Sequence, residues 1–348
     1  MKQAKECFTR LGYRDTTYEM GVASMLHGAR RLASINAGVA PGEKCLIVCD
    51  TSGENPDIAL ALMQAVHELE GEPTVCMMDP RTAHGENPTA PIAAAMLAAD
   101  VVFAPTRFSL SHSHAREQAN QQGTRFISLP DYNSRMLQPG GALDADFQAI
   151  HKTVLRLQQM LDKVNEITVT TPNGTEIFLS TTGRNGNEVS GVCREPGTWG
   201  SPPNIEVNIS PIENLSYGTI VVDGSVPMPQ IGLIPENKPI VLTIEGGRIA
   251  HFGEGAHAQM LRTLLDGDSH PENAVLAEFG IGLNDCATLC GAMLDDEGAY
   301  GTAHFGFGHN YDQGGQNKAA KHIDCVFKNP TVRFDGVVVM QNGQLCLE

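Results

Sequence analysis

The stretch KCLIVCDTSGENPDIALALMQAVHELEG, residues 44–71, decides the architecture of the first half of the chain. KCLIVCD (44–50) is a short continuous apolar run, the pattern of a strand buried on both faces. Asn55 then stands as a helix cap and Pro56 at the first helical position, where a missing N–H costs nothing. The helix runs on through ALALMQAVHELEG and stops at Gly71. Upstream, Met20, Val22, Ala23, Met25, Leu26 and Leu32 are spaced for a helix over 16–36, closed by Gly38 and Pro41. Downstream the alternation repeats: strand 73–79, helix 91–100, strand 101–105, helix 113–122 and strand 124–130. Strands separated by helices of this length imply a parallel sheet with helices on its faces. Residues 1–150 are therefore read as an α/β, Rossmann-like domain.

The turn after the first strand, TSGENPD, has neither G-x-G-x-x-G nor G-x-x-x-x-G-K-[ST] spacing. Without those glycines the backbone cannot close on a pyrophosphate, so this domain carries no nucleotide motif. Loops that follow strand ends are where α/β sheets place ligand contacts. That makes Arg107 and the histidines of SLSHSHAR (109–116) candidates, with His112 and Arg107 assigned to substrate binding. The plainer reading of His112 and His114 is a helix cap or a solvated surface.

Residues 151–348 read differently. Leu155, Leu157, Met160, Leu161 and Val164 mark a connecting helix. NEITVTTPNGTEIFLST then alternates about Asn173-Gly174, a hairpin signal. EVNISP, YGTIVVDGS, PIVLTIEGGRIAHF and the C-terminal CVFKNPTVRFDGVVVMQNGQLCLE continue in strands punctuated by Gly-Gly, Asp-Gly and Asn-Gly. The whole chain is thus a parallel α/β domain followed by a β-rich α+β domain.

Bulk properties narrow the partners. The 348 residues exceed one ordinary core, and 41% hydrophobic with 18% charged residues is a globular composition. Lys and Arg number 24 against 40 Asp and Glu, a net charge of −16 that repels phosphate backbones. No nucleic-acid partner is expected. The opening MKQAKECFTRLGYRD has no apolar leader, and no apolar run is long enough to span a bilayer. A cytoplasmic protein without membrane contact is expected, its nine cysteines reduced thiols rather than disulfides.

The chemistry concentrates in the second domain. In KHIDCVF (321–327) a strand puts His322 and Asp324 on one face, an imidazole and a carboxylate ready to chelate a divalent cation. GTAHFGFGHNYD (301–312) places His304 among glycines, which let other groups approach closely. LAEFGIGLN (276–284) and PPNIEVNISP set Glu278 and Glu206 between apolar neighbours, where an unpaired charge is costly and calls for a cation. Metal-ligand candidates are Glu206, Glu278, His304, His322 and Asp324. His251, His257 and His270 lie near turns and read as surface groups; His309 is a candidate supporting residue. G-x-S-x-G is absent, so a serine hydrolase is not expected.

In this order and local spacing the second domain resembles the aminopeptidase T and aminopeptidase S family of metallopeptidases. That family's two strand glutamates, histidine, tyrosine seven residues later and final H-x-D match Glu206, Glu278, His304, Tyr311 and His322 with Asp324. The resemblance implies two divalent ions (Zn, Co or Mn) bridged by Glu278, a homodimer, and removal of residues from short peptides by metal-activated water. Tyr311 would ligate or donate to the oxyanion. Departures are a shortened gap between His304 and His322, a short chain, and Ala299 where the peptidases carry a further glutamate, with Glu297 out of register.

A compact relative in the resemblance is a dihydroxypyridine ring-cleaving dioxygenase with one Fe(II) on two histidines and an aspartate. It shares the final H-x-D, but its other histidine falls where this chain has Glu278; His304 would complete a two-histidine, one-carboxylate face. The expectation is therefore a metal-dependent hydrolase of the aminopeptidase T type. The alternatives are an Fe(II) dioxygenase acting on a hydroxylated N-heteroaromatic small molecule, and a ligand-binding protein on an enzyme scaffold.

Overall fold

The computed structural model describes residues 16–267 and 269–347. The opening segment read above as lacking an apolar leader, and Cys7, lie outside them. The chain divides into two compact units, Met1–Gln148 with Gly191–Pro202, and Ala149–Ser190 with Pro203–Glu348.

The first unit is a parallel α/β layer structure. Its five strands run in the order Glu72–Met78, Lys44–Asp50, Val101–Thr106, Arg125–Pro130 and Trp199–Gly200, every neighbouring pair parallel. The Val101–Thr106 and Arg125–Pro130 strands are buried throughout, as continuous apolar runs between helical layers should be. Leu46, Val48, Val102, Ala104 and Phe126 pack with Ile92, Met96, Ala115 and Ala119 of the helices Ala90–Met96 and His114–Gln121. The Asn55–Glu68 helix packs on the Lys44–Asp50 strand, with the Thr16–Arg31 helix against it. The edge strand Trp199–Gly200 comes from residues that the sequence reading left within 151–348.

The turn after the first strand differs from a phosphate-binding loop for a visible reason. Asp50 is fully buried, and its Oδ1 accepts from the Ser52 N–H and the Asn55 amide, both at 2.9 Å, while Oδ2 accepts from the Arg107 N–H at 2.7 Å. Donors that could serve an anion are spent on this carboxylate. Asn55 is accordingly the first helical residue, with Glu54 at the cap position, rather than the cap itself.

The second unit contains two antiparallel sheets. One has eight strands, including the hairpin Glu166–Thr170 with Glu176–Ser180, closed at Gly174 with φ +103°. The other has seven, and its middle is the ordered set Glu206–Ile209, Leu276–Gly282, Thr302–Gly308 and His322–Lys328. Period-2 alternation divides the side chains of these four strands. Val207, Ile209, Phe279, Ile281, Phe305, Phe307, Ile323, Cys325 and Phe327 take one face and are buried. Phe305 lies 5.4 Å from Phe279 and 5.0 Å from Phe327 between ring centroids. Burying each such ring contributes about 1.5–3 kcal/mol, so this face anchors the sheet.

Cys45, Cys49 and Cys325 are buried free thiols, and Cys290 and Cys346 are exposed ones. Among the described residues no helix is long and apolar enough to cross a membrane.

Candidate metal centre

The opposite face of the same four strands carries the polar residues. Glu206, Glu278, His304, His322 and Asp324 all project from it, each set against a glycine on a neighbouring strand. Glu206 pairs with Gly282, His304 with Gly280, Glu278 and Asp324 with Gly306, and His322 with Gly308. The glycines are needed for space. A Cβ on Gly280 would lie 2.2 Å from His304 Cε1, and one on Gly306 would lie 2.7 Å from His322 Nε2 and 2.9 Å from Asp324 Oδ1. The motifs E-F-G-I-G and H-F-G-F-G thus encode a row of ligand-type side chains and the empty ground they lie over.

Distances are short. Glu278 reaches both imidazoles, with Oε1 3.6 Å from His304 Nε2 and Oε2 3.2 Å from His322 Nε2. Glu206 Oε2 is 3.4 Å from His304 Nε2, and Asp324 Oδ1 is 3.3 Å from His322 Nε2. The donor atoms form two groups that share Glu278, each within 4.8 Å: Glu206–Glu278–His304 and Glu278–His322–Asp324. Each group has one imidazole and two carboxylates. Among the described residues no such group holds both imidazoles, although Glu278 meets each of them.

A further carboxylate, Glu297, is buried as the residue that ends the short Met293–Asp296 helix, against Asp324. The sequence reading set Glu297 aside as out of register, since counting along the chain cannot show where a loop returns. Asn208, two residues from Glu206, donates to Glu206 Oε1 at 2.8 Å. The His309 carbonyl lies 2.7 Å from His322 Nδ1.

The electrostatics are those of a site short of positive charge. Burial pushes the Glu206 carboxyl up to about 7, with His304 opposing and Glu278 assisting the rise. Burial and then Asp324 raise Glu297 well above the usual carboxylate range. Burial would also raise Glu278, but hydrogen bonds from His304 and His322 outweigh it and hold that carboxyl low. The same contest lowers Asp324, through His322. Both imidazoles rise against burial: His304 to about 9 through Glu206 and Glu278, and His322 well upward through Asp324. Four carboxyls thus compete for two imidazoles, and like charges about 4 Å apart repel by roughly 4 kcal/mol at an effective dielectric of 20. Glu206 Oε2, Glu297 Oε1, Asp324 Oδ1 and His304 Nδ1 are buried without a hydrogen-bond partner. Unpartnered buried oxygens on converging carboxylates, with imidazole nitrogen beside them, fit a divalent cation.

Three further expected residues belong to other elements. Tyr311 is 55% exposed, with the Lys318 ammonium 3.9 Å from its ring centroid. Arg107 and His112 belong to the first unit, in the loop after the Val101–Thr106 strand. Arg107 lies over the Phe108 ring, and exposed His112 meets Trp199 edge-on. His251 and His270 are exposed.

Residues 32–347 match the NicX family, 2,5-dihydroxypyridine 5,6-dioxygenase. The chain belongs to that family, and so to a class of enzymes; its two-unit fold carries a donor set that fits a divalent cation. The solved 2,5-dihydroxypyridine dioxygenase from Pseudomonas putida KT2440 superposes with a TM-score of 0.80 at 22% identity, over 94% of this chain and 98% of that one. Wild-type AmpT from Thermus thermophilus superposes at 0.65 and 16% identity, over 93% and 99%. At such identities both likenesses speak to fold alone. No curated protein matches the chain.

These findings overturn the hydrolase, aminopeptidase and metalloprotease expectation. The order Glu206, Glu278, His304, His322, Asp324 does match a fold shared with the peptidases, but fold does not fix chemistry, and the family match over nearly the whole chain is to a dioxygenase. The peptide substrate, the metal-activated water and an oxyanion role for Tyr311 fall with it.

Proposed function

We propose that the protein is an Fe(II)-dependent dioxygenase that opens the ring of a hydroxylated N-heteroaromatic small molecule such as a dihydroxypyridine. The observation that carries this reading is the Glu278–His322–Asp324 group, two buried carboxylates on a half-buried imidazole, in a chain of the dioxygenase family. One ion is proposed, held by these three side chains. When bound, Fe(II) supplies the redox chemistry that couples dioxygen to an electron-rich ring.

The remaining work falls to the chain's own residues. The sheet presents the ligand side chains from rigid strands anchored by the phenylalanine face, which fixes their mutual geometry before substrate arrives. Glu278 bridges the two imidazoles and holds both rings in place. Glu206, its carboxyl pushed up to about 7, is suited to hold or release a proton at Oε2 as a ring hydroxyl ionises near neutral pH. The glycine floor at Gly280 and Gly306 leaves room over the ligand row that any larger residue would fill.

Arg107 and His112 are kept as proposed substrate contacts on chemistry alone, a guanidinium and an imidazole being apt partners for ring hydroxyls and nitrogen. A cytoplasmic homodimer is likewise proposed from the resemblance; the mass in solution tests it.

The deciding experiment is anaerobic Fe(II) loading followed by oxygen uptake with 2,5-dihydroxypyridine and its hydroxylated relatives. Uptake matched to loss of ring absorbance, abolished in His322→Ala and Asp324→Ala, is the expected result. One tightly bound iron per chain with no uptake on any hydroxylated N-heteroaromatic would sink the reading.

A further inference from the structure

The segment between the Thr302–Gly308 and His322–Lys328 strands is not a free connection. Its Asn310 is fully buried. The Asn310 amide donates to the carbonyl of Ala277, the residue before Glu278, and to Glu213 Oε1, both at 3.2 Å. Its Oδ1 accepts from the Asn317 N–H at 2.8 Å, and its backbone N–H meets the Asn317 carbonyl at 3.1 Å. Asn317 in turn donates to the Gly308 and Glu272 carbonyls at 2.6 and 2.7 Å. One side chain therefore ties both ends of the segment to the strand that carries Glu278.

The residue immediately before Asn310 supplies the carbonyl that His322 Nδ1 meets at 2.7 Å. That contact turns the Nε2 edge of the ring toward Glu278 and Asp324. Such partners fix ring orientation and basicity, and their loss typically weakens metal binding by about 10- to 100-fold. Packing around the asparagine is close. A Cβ on Gly315 would lie 2.0–2.2 Å from the Asn310 amide group. Gly315 lies outside the left-handed region, so a methyl group there strains this contact and not the backbone.

We propose that Asn310 is a positioning residue for the metal centre: by clamping residues 308–317 onto Ala277 it aims the His309 carbonyl at His322 and so sets divalent-ion affinity. The proposal rests on the metal-site reading above but not on the reaction assigned to it.

The test is Mn(II) titration of the full chain, followed by the electron paramagnetic resonance of free Mn(II), beside the melting temperature of the metal-free protein. Wild type, Asn310→Ala, Gly315→Ala and Asn273→Ala are compared. Asn273 is also a buried asparagine, but its amide donates to the Leu265 carbonyl at 2.8 Å and not to residues 308–317 or Ala277. Asn310→Ala and Gly315→Ala are expected to raise the Mn(II) Kd about 10- to 100-fold, whereas Asn273→Ala lowers the melting temperature and leaves Kd within about twofold of wild type. A folded Asn310→Ala with unchanged Kd overturns the proposal, as does Asn273→Ala weakening Mn(II) as much as Asn310→Ala. Should Asn310→Ala fail to fold, an unchanged Kd in Gly315→Ala overturns it instead. Wild-type protein that takes up no Mn(II) overturns the metal site and the positioning role together.

Discussion

Gly280 stands directly opposite His304 across two antiparallel strands, and a methyl group on Gly280 would reach within 2.2 Å of the imidazole. No rotation of the strand relieves that overlap, because Gly280 and His304 are fixed by ladder hydrogen bonds on both sides. Gly280→Ala is therefore expected to displace the His304 ring while the phenylalanine face keeps the sheet folded. Gly306→Ala presses on His322 and Asp324 together, so it is the more damaging of the two for metal binding. Overpacking of this kind costs about 1–3 kcal/mol in stability. Calorimetric titration with Mn(II) should show about a 100-fold loss for Gly306→Ala, of the size expected when ligands are misplaced. Circular dichroism of both variants should match wild type.

Glu297 tests which carboxyls are ligands and which are neutral neighbours. Burial and the facing Asp324 raise its carboxyl well above the usual carboxylate range, which favours the protonated form. A glutamine has the same shape and no charge to lose. Glu297→Gln should keep Mn(II) affinity within about threefold of wild type, whereas Glu278→Gln, which removes the carboxylate shared by both donor groups, should lose at least about 100-fold. Equal losses in the two variants would make Glu297 a ligand.

Asp295 gives the pH dependence of stability away from the ligand row. Burial, and then the neighbouring Asp296, push its carboxyl up from 3.8 to about 6. Folding thus favours the protonated form. Its stabilising contribution is complete below about pH 4 and is lost as pH rises through about 6, by at most about 3 kcal/mol for two pK units. Asp295→Asn should leave the denaturation midpoint unchanged near pH 4 and raise it at pH 7 to 8. A denaturant series at those two pH values checks the sign.

Much of the architecture could be read from residue order because it repeats locally. The runs KCLIVCD, VVFAP and TRFISLP are uniformly apolar since both faces are covered, and His322 with Asp324 follows from period-2 geometry alone. What escaped was non-local. Trp199–Gly200 returns to the first unit from a stretch with no strand pattern of its own. Glu297 and Asn310 sit in irregular segments, where burial depends on what the chain folds against and leaves no periodic trace. The reaction class escaped for another reason: the ordered glutamates, histidines and aspartate belong to a fold that supports more than one chemistry.

Removing the metal should be visible as a change in stability as well as activity. In its absence the centre keeps Glu206 partly protonated and sets Glu278 and Asp324 against two imidazoles, leaving four buried polar atoms unpartnered. A divalent ion on Glu278, His322 and Asp324 binds only the folded chain, since the strands that gather those side chains do not exist in the unfolded one. At a free ion concentration of 100 times Kd the stabilisation is about 2.7 kcal/mol. Chelator treatment should therefore lower the melting temperature by several degrees, and re-adding Fe(II) without oxygen should restore it. His322→Ala, which removes one ligand, should melt at the same temperature with and without chelator. A chelator shift that survives in His322→Ala would mean that the stabilising ion sits on Glu206, Glu278 and His304 instead.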